Sequence, residues 1–137
     1  MQVLVDTGPL VAVVSPTDQY HQRAVELAKY LESNGIRLIT TRAVSLEIGN
    51  ALAKQRYRGA AIILLSALDA DPNIEVIPLS DLLYKQAFEM YQQRHDKEWG
   101  MTDCVSFVLM QDRGLTDALT ADDHFRQAGF RALLRDS

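Results

Sequence analysis

Short runs of apolar, often β-branched residues alternate along this chain with longer segments in which apolar residues recur every three or four positions. The short runs are typical of buried strands, and the longer segments are typical of amphipathic helices. Strands are predicted at residues 3–5, 36–40, 74–77, 118–120 and 130–134. Helices are predicted at residues 19–33, 42–57, 60–70, 81–94, 102–113 and 122–129.

Local signals indicate where several of these helices begin and end. The pair Asn34-Gly35 is a stop signal after the first long helix, and Ser80 is a typical N-terminal cap. Thr102 is predicted to cap the helix that follows it. Gly59 is predicted to break the apolar region of residues 42–70 into two helices.

The alternation of short strands with longer helices determines the expected fold class. Such alternation produces right-handed βαβ units, and therefore a parallel sheet with helices on both faces. We expect an α/β fold, a three-layer α/β/α sandwich with a mainly parallel central sheet. The 137 residues contain no repeat, low-complexity tract or linker, so residues 1–137 are expected to form one domain.

Composition narrows the functional classes. The chain has 14 Lys+Arg and 18 Asp+Glu, a net charge of -4, which argues against nucleic-acid binding through bulk positive charge. Cys104 is the single cysteine, so an intrachain disulfide and a Cys-rich zinc site are excluded. The longest apolar stretch, residues 60–68, is too short to span a bilayer, and Asp6 interrupts the region where a signal peptide would be apolar. A cytoplasmic protein without a membrane partner is expected.

Four carboxylates are placed where an α/β sheet forms its binding sites. Asp6 closes the first strand, and Asp122 follows the strand that ends at Thr120. Glu47 and Asp103 lie near the starts of two helices. Ligands of open α/β sheets bind beyond the carboxyl ends of the strands, where the strand order reverses. The four acids are therefore expected to converge above one edge of the sheet.

Each acid also has a local interpretation. Asp6 could bond its own backbone in a turn, and Asp103 and Asp122 could stabilise helix N-termini. Glu47 has only small or apolar neighbours three and four positions away, so its side of the helix is predicted to be a packing face. An acid on a packing face needs a partner. If the acids converge, their repulsion raises their pKa values and favours binding of Mg²⁺ or Mn²⁺. The chemistry that follows is metal-assisted hydrolysis.

Four sequence blocks, taken in order, are similar to the PIN domain family. The blocks are VLVDTGPLVAVV at residues 3–14, TTRAVSLEIGNAL at 40–52, WGMTDCVSFVLMQDRG at 99–114 and ALTADDHF at 118–125. Within that family, the chain resembles the single-domain VapC-type toxins of bacterial toxin–antitoxin pairs. The resemblance covers essentially the whole chain.

This resemblance implies a function and a set of site residues. It implies an endoribonuclease that uses Mg²⁺ or Mn²⁺, with two ions in the presence of substrate, and leaves a 5′-phosphate and a 3′-hydroxyl. It also implies a homodimer and inhibition by a cognate antitoxin whose tail enters the site. The implied metal ligands are Asp6, Glu47, Asp103 and Asp122, with Asp122 preferred over the adjacent Asp123. The implied supporting hydroxyls are Thr7, Ser106 and Thr120.

Basic residues near Glu47 are candidates for holding RNA phosphates: Arg42, Lys54, Arg56 and Arg58. Alternatively, the last three are solvated cations at the C-terminal end of a helix. The apolar residues after Gly59 exceed what one core-facing stripe needs, so part of that helix is predicted to pack against another chain. The three histidines are expected at the surface without a chemical role. Trp99 either lines the site or packs in the core.

Parts of the sequence are compatible with functions other than an endoribonuclease. Asp6-Thr7-Gly8 matches the short signature of aspartic proteases, but those enzymes are almost entirely β. A receiver-like or phosphatase-like domain would need a second acid beside the first strand and a later lysine. A PIN-like binding module without catalysis is the remaining alternative, and retention of all four acids argues against it.

Overall fold

The computed structural model describes residues 1–136 and confirms the predicted alternation of strands and helices. Its strands are β1 (Gln2–Val5), β2 (Arg37–Thr41), β3 (Ile74–Ile77), β4 (Asp117–Leu119) and β5 (Arg131–Ala132). Its helices are α1 (Thr7–Val13), α2 (His21–Ser33), α3 (Arg42–Ala51), α4 (Gln55–Ala70), α5 (Asp81–Gln93), α6 (Met101–Arg113) and α7 (Asp123–Gln127). Within this described part, none of the helices has the length and apolar character needed to cross a membrane.

The strands form a parallel sheet in the order β3-β2-β1-β4-β5. The chain moves outward from β1 to β3, then returns to the other side of β1 to add β4 and β5. The register pairs Leu4 of β1 with both Ile39 of β2 and Ala118 of β4. The strand order therefore reverses between β1 and β4, and the loops that follow these strands leave a crevice between them.

Helices cover both faces of the sheet, which confirms the three-layer α/β/α arrangement. Alternate residues of a strand point to opposite faces. Leu4 belongs to the core beneath α5, α6 and α7, where Phe107 is fully buried. Val3 and Val5 belong to the other core, formed with α1, α2, α3 and α4, where Ile48 is fully buried. Burial on both faces explains why β1 is continuously apolar.

The break between the third and fourth helices was predicted at the wrong place. Helix α3 ends at Ala51 and α4 begins at Gln55, whereas Gly59 lies inside α4. An interior glycine costs a helix only about 1 kcal/mol relative to alanine. Burial of Leu64 and Leu68 on the core side of α4 outweighs that cost.

Two of the predicted caps had different outcomes. Ser80 caps α5, since its hydroxyl accepts a hydrogen bond from the backbone N–H of Leu83 at 3.1 Å. Thr102 does not cap α6, because the N-cap position belongs to Gly100 and Thr102 lies in the first turn. The backbone N–H of Gly100 donates to the side chain of Asp103 at 3.1 Å, which is the bond that the third residue of a helix makes back to the N-cap in a capping box.

Candidate metal centre

A cleft of about 550 Å³ lies at the carboxyl ends of β1 and β4, where the strand order reverses. All four acids singled out in the sequence line this cleft. Further polar residues line it as well, among them Asp18, Thr120 and His124. Over residues 1–136, the lining includes no Lys or Arg. The cleft is therefore rich in carboxylates, with His124 as its only side chain able to carry a positive charge.

Asp6 is the most deeply buried of the four acids, and its side chain does not cap helix α1. Its Oδ2 accepts a hydrogen bond from the hydroxyl of Thr120 at 3.0 Å. Burial raises the pKa of Asp6 to about 7. The charges of Asp103 and Glu47 also raise this pKa, whereas the Thr120 hydroxyl and the backbone N–H of Thr7 lower it.

Thr120 connects two parts of the site. While its hydroxyl donates to Asp6, its oxygen accepts a hydrogen bond from the backbone N–H of Asp122 at 3.0 Å. Thr120 is itself buried at the end of β4. The residue named from the sequence as a supporting hydroxyl thus contacts one acid directly and holds the backbone of another.

Asp103, Asp122 and His124 form a compact group. Asp103 lies in the first turn of α6, Asp122 is the N-cap of α7, and one potential ligand atom from each residue lies within 4.8 Å of the others. The local interpretations of both acids are correct as well, because Asp103 accepts from Gly100 and Asp122 accepts from the backbone N–H of His124. Burial raises the pKa of Asp103, and bonds from His124 and Gly100 oppose this.

Glu47 reaches the same cleft from α3, but the expectation that it lies on a packing face is wrong. Its side chain is exposed at the rim, and its neighbour Ala51 is also exposed. The core-facing side of α3 instead carries Val44 and Ile48. The Thr7 hydroxyl donates a hydrogen bond to Oε1 of Glu47. Glu47 therefore lies beside the exposed Asn50 and Ala51, whereas Ala43 and Val44 turn to the core, and Glu47 needs no buried partner.

Two residues adjoining the predicted ligands have other environments. Ser106 was expected to support Asp103, but its hydroxyl is buried and makes no hydrogen bond within the described chain. Ser106 lies on the buried side of α6, where its hydroxyl has no hydrogen-bond partner among the described residues. Asp123 points away from the group, since it pairs with Arg126 at 3.4 Å and accepts from Gln127 at 3.3 Å.

His124 is the site residue that the sequence analysis missed. Its Nδ1 lies 3.0 Å from Oδ2 of Asp103 and 3.4 Å from Oδ1 of Asp122. Although burial lowers the pKa of His124, the bond to Asp103 and the two negative charges raise it overall. One signal in the sequence could have identified it. His124 lies two residues after Asp122 at a predicted helix start, which keeps its side chain close to that acid. The other histidines lie elsewhere, with His21 bonded to the carbonyl of Ala12.

Trp99 packs in the core and does not line the cleft. It is buried, meets Phe107 edge to face with 4.9 Å between ring centroids, and donates from Nε1 to Gln127 at 3.0 Å. Because Trp99 lies two residues before α6, these contacts anchor the start of the helix, and with it Asp103, to the core.

The four candidate phosphate-binding residues do not line the cleft in the part of the chain that the structure describes. They are Arg42, Lys54, Arg56 and Arg58. Arg42 forms an exposed ion pair with Asp69 at 2.7 Å. The guanidinium of Arg56 lies over the ring of Tyr57, at 4.7 Å from its centroid. Arg58 donates to a main-chain carbonyl at 2.7 Å.

The alternative expectation, that these cations lie at a helix C-terminus, is wrong. Lys54 is the N-cap of α4, and Arg56 and Arg58 follow within its first turn. Cations there face the positive end of the helix dipole, which stabilises anions. The cluster is thus not explained as helix stabilisation.

The residues of the cleft fit a hard divalent cation. Carboxylate oxygens are the preferred ligands of Mg²⁺ and Mn²⁺. Burial raises the pKa values of Asp6 and Asp103, and repulsion from neighbouring carboxylates raises them further. Binding of a cation would relieve that repulsion.

Comparison with protein families agrees with this site. The model of the PIN domain family matches residues 3–131. The chain belongs to the PIN domain family. The matched segment contains the four predicted ligands, Asp6, Glu47, Asp103 and Asp122, and membership excludes the aspartic-protease and receiver-like interpretations of Asp6.

Solved structures with the same fold include VapC-type toxins, which confirms the type of PIN domain recognised in the sequence. VapC20 from Mycobacterium tuberculosis, a sarcin-ricin loop cleaving toxin, is 25% identical with a TM-score of 0.82, over 94% of this chain and 96% of that one. VapBC2 from Rickettsia felis, bound to a DNA fragment from its promoter, is 16% identical with a TM-score of 0.64, over 93% of each chain.

FitAcB from Neisseria gonorrhoeae shares the PIN fold as well. It is 20% identical with a TM-score of 0.63, over 96% of this chain and 95% of that one. No curated protein sequence is significantly similar to this chain.

Proposed function

We propose that this PIN domain is a metal-dependent endoribonuclease of the VapC toxin type, and that residues 1–137 act as a single domain. The observation that carries the proposal is the cleft where Asp6, Glu47, Asp103 and Asp122 meet with no Lys or Arg among the described lining residues. The similarity to VapC20 supports RNA as the substrate class.

In this proposal the four carboxylates hold Mg²⁺ or Mn²⁺, as two ions when RNA is bound. A bound divalent cation supplies activation of water and neutralisation of the phosphate charge. The chain itself supplies orientation. Thr120 fixes one oxygen of Asp6, and Thr7 fixes one oxygen of Glu47. Burial of Asp6 keeps its carboxylate from exchanging freely between protein and solvent partners.

The charge balance of the chain supports the same proposal. Without the four proposed ligands, 14 of the 18 acidic residues remain, which equals the number of Lys and Arg. The net charge of -4 therefore corresponds to the proposed ligands. Bound cations would convert a cleft that repels phosphate into one that accepts it.

The direct test compares cleavage of structured RNAs by the purified protein in Mg²⁺, Mn²⁺ and EDTA. Asp103→Asn should lower the cleavage rate by more than the roughly 10- to 100-fold that loss of an outer-shell partner costs a metal site. Asp123→Asn is the matched control, because this acid lies nearby but pairs with Arg126 outside the group. Cleavage that persists in EDTA, or an active Asp103→Asn variant, would contradict the proposal. Metal binding without cleavage would indicate a binding module.

We further propose a cognate antitoxin and a homodimer as partners. The similarity to the VapBC2 assembly supports the first. Exposure of Ile62 and Ile63 on α4, at 60% and 71%, supports the second, because large apolar side chains at adjacent positions favour burial against another chain. Light scattering on the purified protein tests the dimer. Co-purification with the product of a neighbouring small reading frame, followed by loss of cleavage, tests the antitoxin.

A further inference from the structure

His124 contacts both acids that flank it in the cleft. Its ring Nδ1 lies 3.0 Å from Oδ2 of Asp103 and 3.4 Å from Oδ1 of Asp122. Its backbone N–H donates to the same Oδ1 of Asp122 at 2.9 Å. The two acids come from different helices, α6 and α7, and the imidazole is the side chain that connects them.

The chemistry of these contacts assigns a direction to the hydrogen bonds. An ionised carboxylate has no proton to donate, so Nδ1 carries the hydrogen and donates it. Both donors to Asp103, the imidazole and the N–H of Gly100, reach the same oxygen, Oδ2. These bonds fix the orientation of the carboxylate and leave its other oxygen, Oδ1, directed elsewhere.

We propose that His124 is a positioning residue of the metal centre, which holds the carboxylates of Asp103 and Asp122 in the orientation that binds the cation. This inference rests on the proposed function. Since Nδ1 already donates to a carboxylate, that nitrogen does not act as a ligand. Hydrogen bonds to the side chains that bind a metal orient those ligands, and loss of such a bond weakens metal binding by about 10- to 100-fold.

The imidazole is not needed to build the local fold. Helix α7 is capped by the side chain of Asp122 through a backbone N–H, which any substitution except proline retains. The helix is also anchored by Phe125, which is fully buried. Removal of the ring should therefore change the centre while leaving α7 in place.

The experiment measures Mn²⁺ binding by calorimetry on the full chain without RNA, with melting in EDTA as the check of folding. His124→Ala should bind Mn²⁺ about 10- to 100-fold more weakly than the parent. His124→Asn should recover much of this loss, because its amide nitrogen occupies the position of Nδ1. His124→Gln should not, because its amide nitrogen corresponds to the other ring nitrogen. His95→Ala, an exposed histidine away from the cleft, is the matched control and should bind like the parent.

RNA cleavage supplies the second measurement. At saturating Mn²⁺ the rate of His124→Ala should return to within a few-fold of the parent, since the ligands themselves remain. An Ala variant that binds Mn²⁺ as tightly as the parent, or more tightly, overturns the inference, as does an Asn variant no better than Ala. In those cases the parent still binds and cleaves, so the proposed function stands. A parent that neither binds metal nor cleaves RNA overturns both.

Discussion

Thr120 donates a hydrogen bond to Asp6 at 3.0 Å although 114 positions separate the two residues along the chain. Both residues are buried. The contact exists because β1 and β4 are parallel neighbours at the point where the strand order reverses. It joins the start of the chain to the segment that carries Asp122 and His124.

Thr120→Val should destabilise the protein by about 1 to 3 kcal/mol, since it removes the donor to a buried carboxyl and leaves the N–H of Asp122 without its acceptor. Urea unfolding measures the change. Thr116→Val is the matched control, because that threonine is exposed and its hydroxyl bonds to the adjacent Asp117, while its backbone bond to Arg131 is retained in the variant. Its effect should be within about 0.5 kcal/mol of zero. Equal stability of the two variants would contradict the role of Thr120.

The stability of the metal-free protein should fall as pH rises from about 4 to about 7. Asp6 has a pKa of about 7 in the folded chain against 3.8 for an ordinary aspartate, so folding favours its protonated form. That stabilisation is complete below pH 4 and is lost as pH approaches 7, by at most about 4 kcal/mol.

Asp6→Asn tests this dependence because it cannot ionise. In EDTA the parent should lose stability from about pH 4 to about pH 7, and Asp6→Asn should not. The difference in free energy of unfolding should therefore shift in favour of the variant across this window, and at pH 7.5 the variant should melt no lower than the parent. Urea unfolding at several pH values gives the difference, with Asp123→Asn as the control that should follow the parent. Parallel curves for Asp6→Asn and the parent would refute the prediction.

Phe125→Ala should cost about 3 to 5 kcal/mol of stability, because its ring is fully buried and meets Phe107 edge to face at 4.9 Å. Helix α7, which carries His124, should then loosen, and Mn²⁺ affinity should fall with it. Phe88→Ala is the comparison, since that ring is 42% exposed and should cost no more than about 1.5 kcal/mol. Chemical denaturation measures the loss of stability, and calorimetry measures the Mn²⁺ affinity. A destabilised Phe125→Ala variant that keeps full Mn²⁺ affinity would show that the packing of Phe125 does not support the metal site.

Lys54→Ala and Arg56→Ala should each weaken RNA binding, if these side chains contact phosphate at the start of α4. Each loss should reduce the slope of log KM against log salt by about 1 without changing kcat. Arg42→Ala should change KM less, because Arg42 is already paired with Asp69 at 2.7 Å. Cleavage kinetics at several salt concentrations decide the matter. An unchanged salt slope in both variants would place the RNA path elsewhere.

Much of the fold could be predicted because its signals are local. Short apolar runs place the strands within two residues, since strands of a parallel sheet are buried on both faces and read as continuous apolar segments. Helix ends were less certain. Gly59 has a weak local preference against helix that the burial of Leu64 and Leu68 overrides, and Thr102 competes with Gly100 for the same cap.

The sequence by itself determined the fold class and the placement of Asp6 and Asp122, because residues that follow parallel strands lie at one edge of the sheet. Glu47 and Asp103 lie within helices, and the resemblance to the PIN family assigned them to the same site. Tertiary structure alone decided how those acids are held. The exposure of Glu47, the partner of Thr120 and the position of His124 all depend on contacts between elements far apart in the chain. Such contacts leave no periodic pattern in the sequence, since a hydrogen bond across the fold requires two suitable residues but no particular spacing between them.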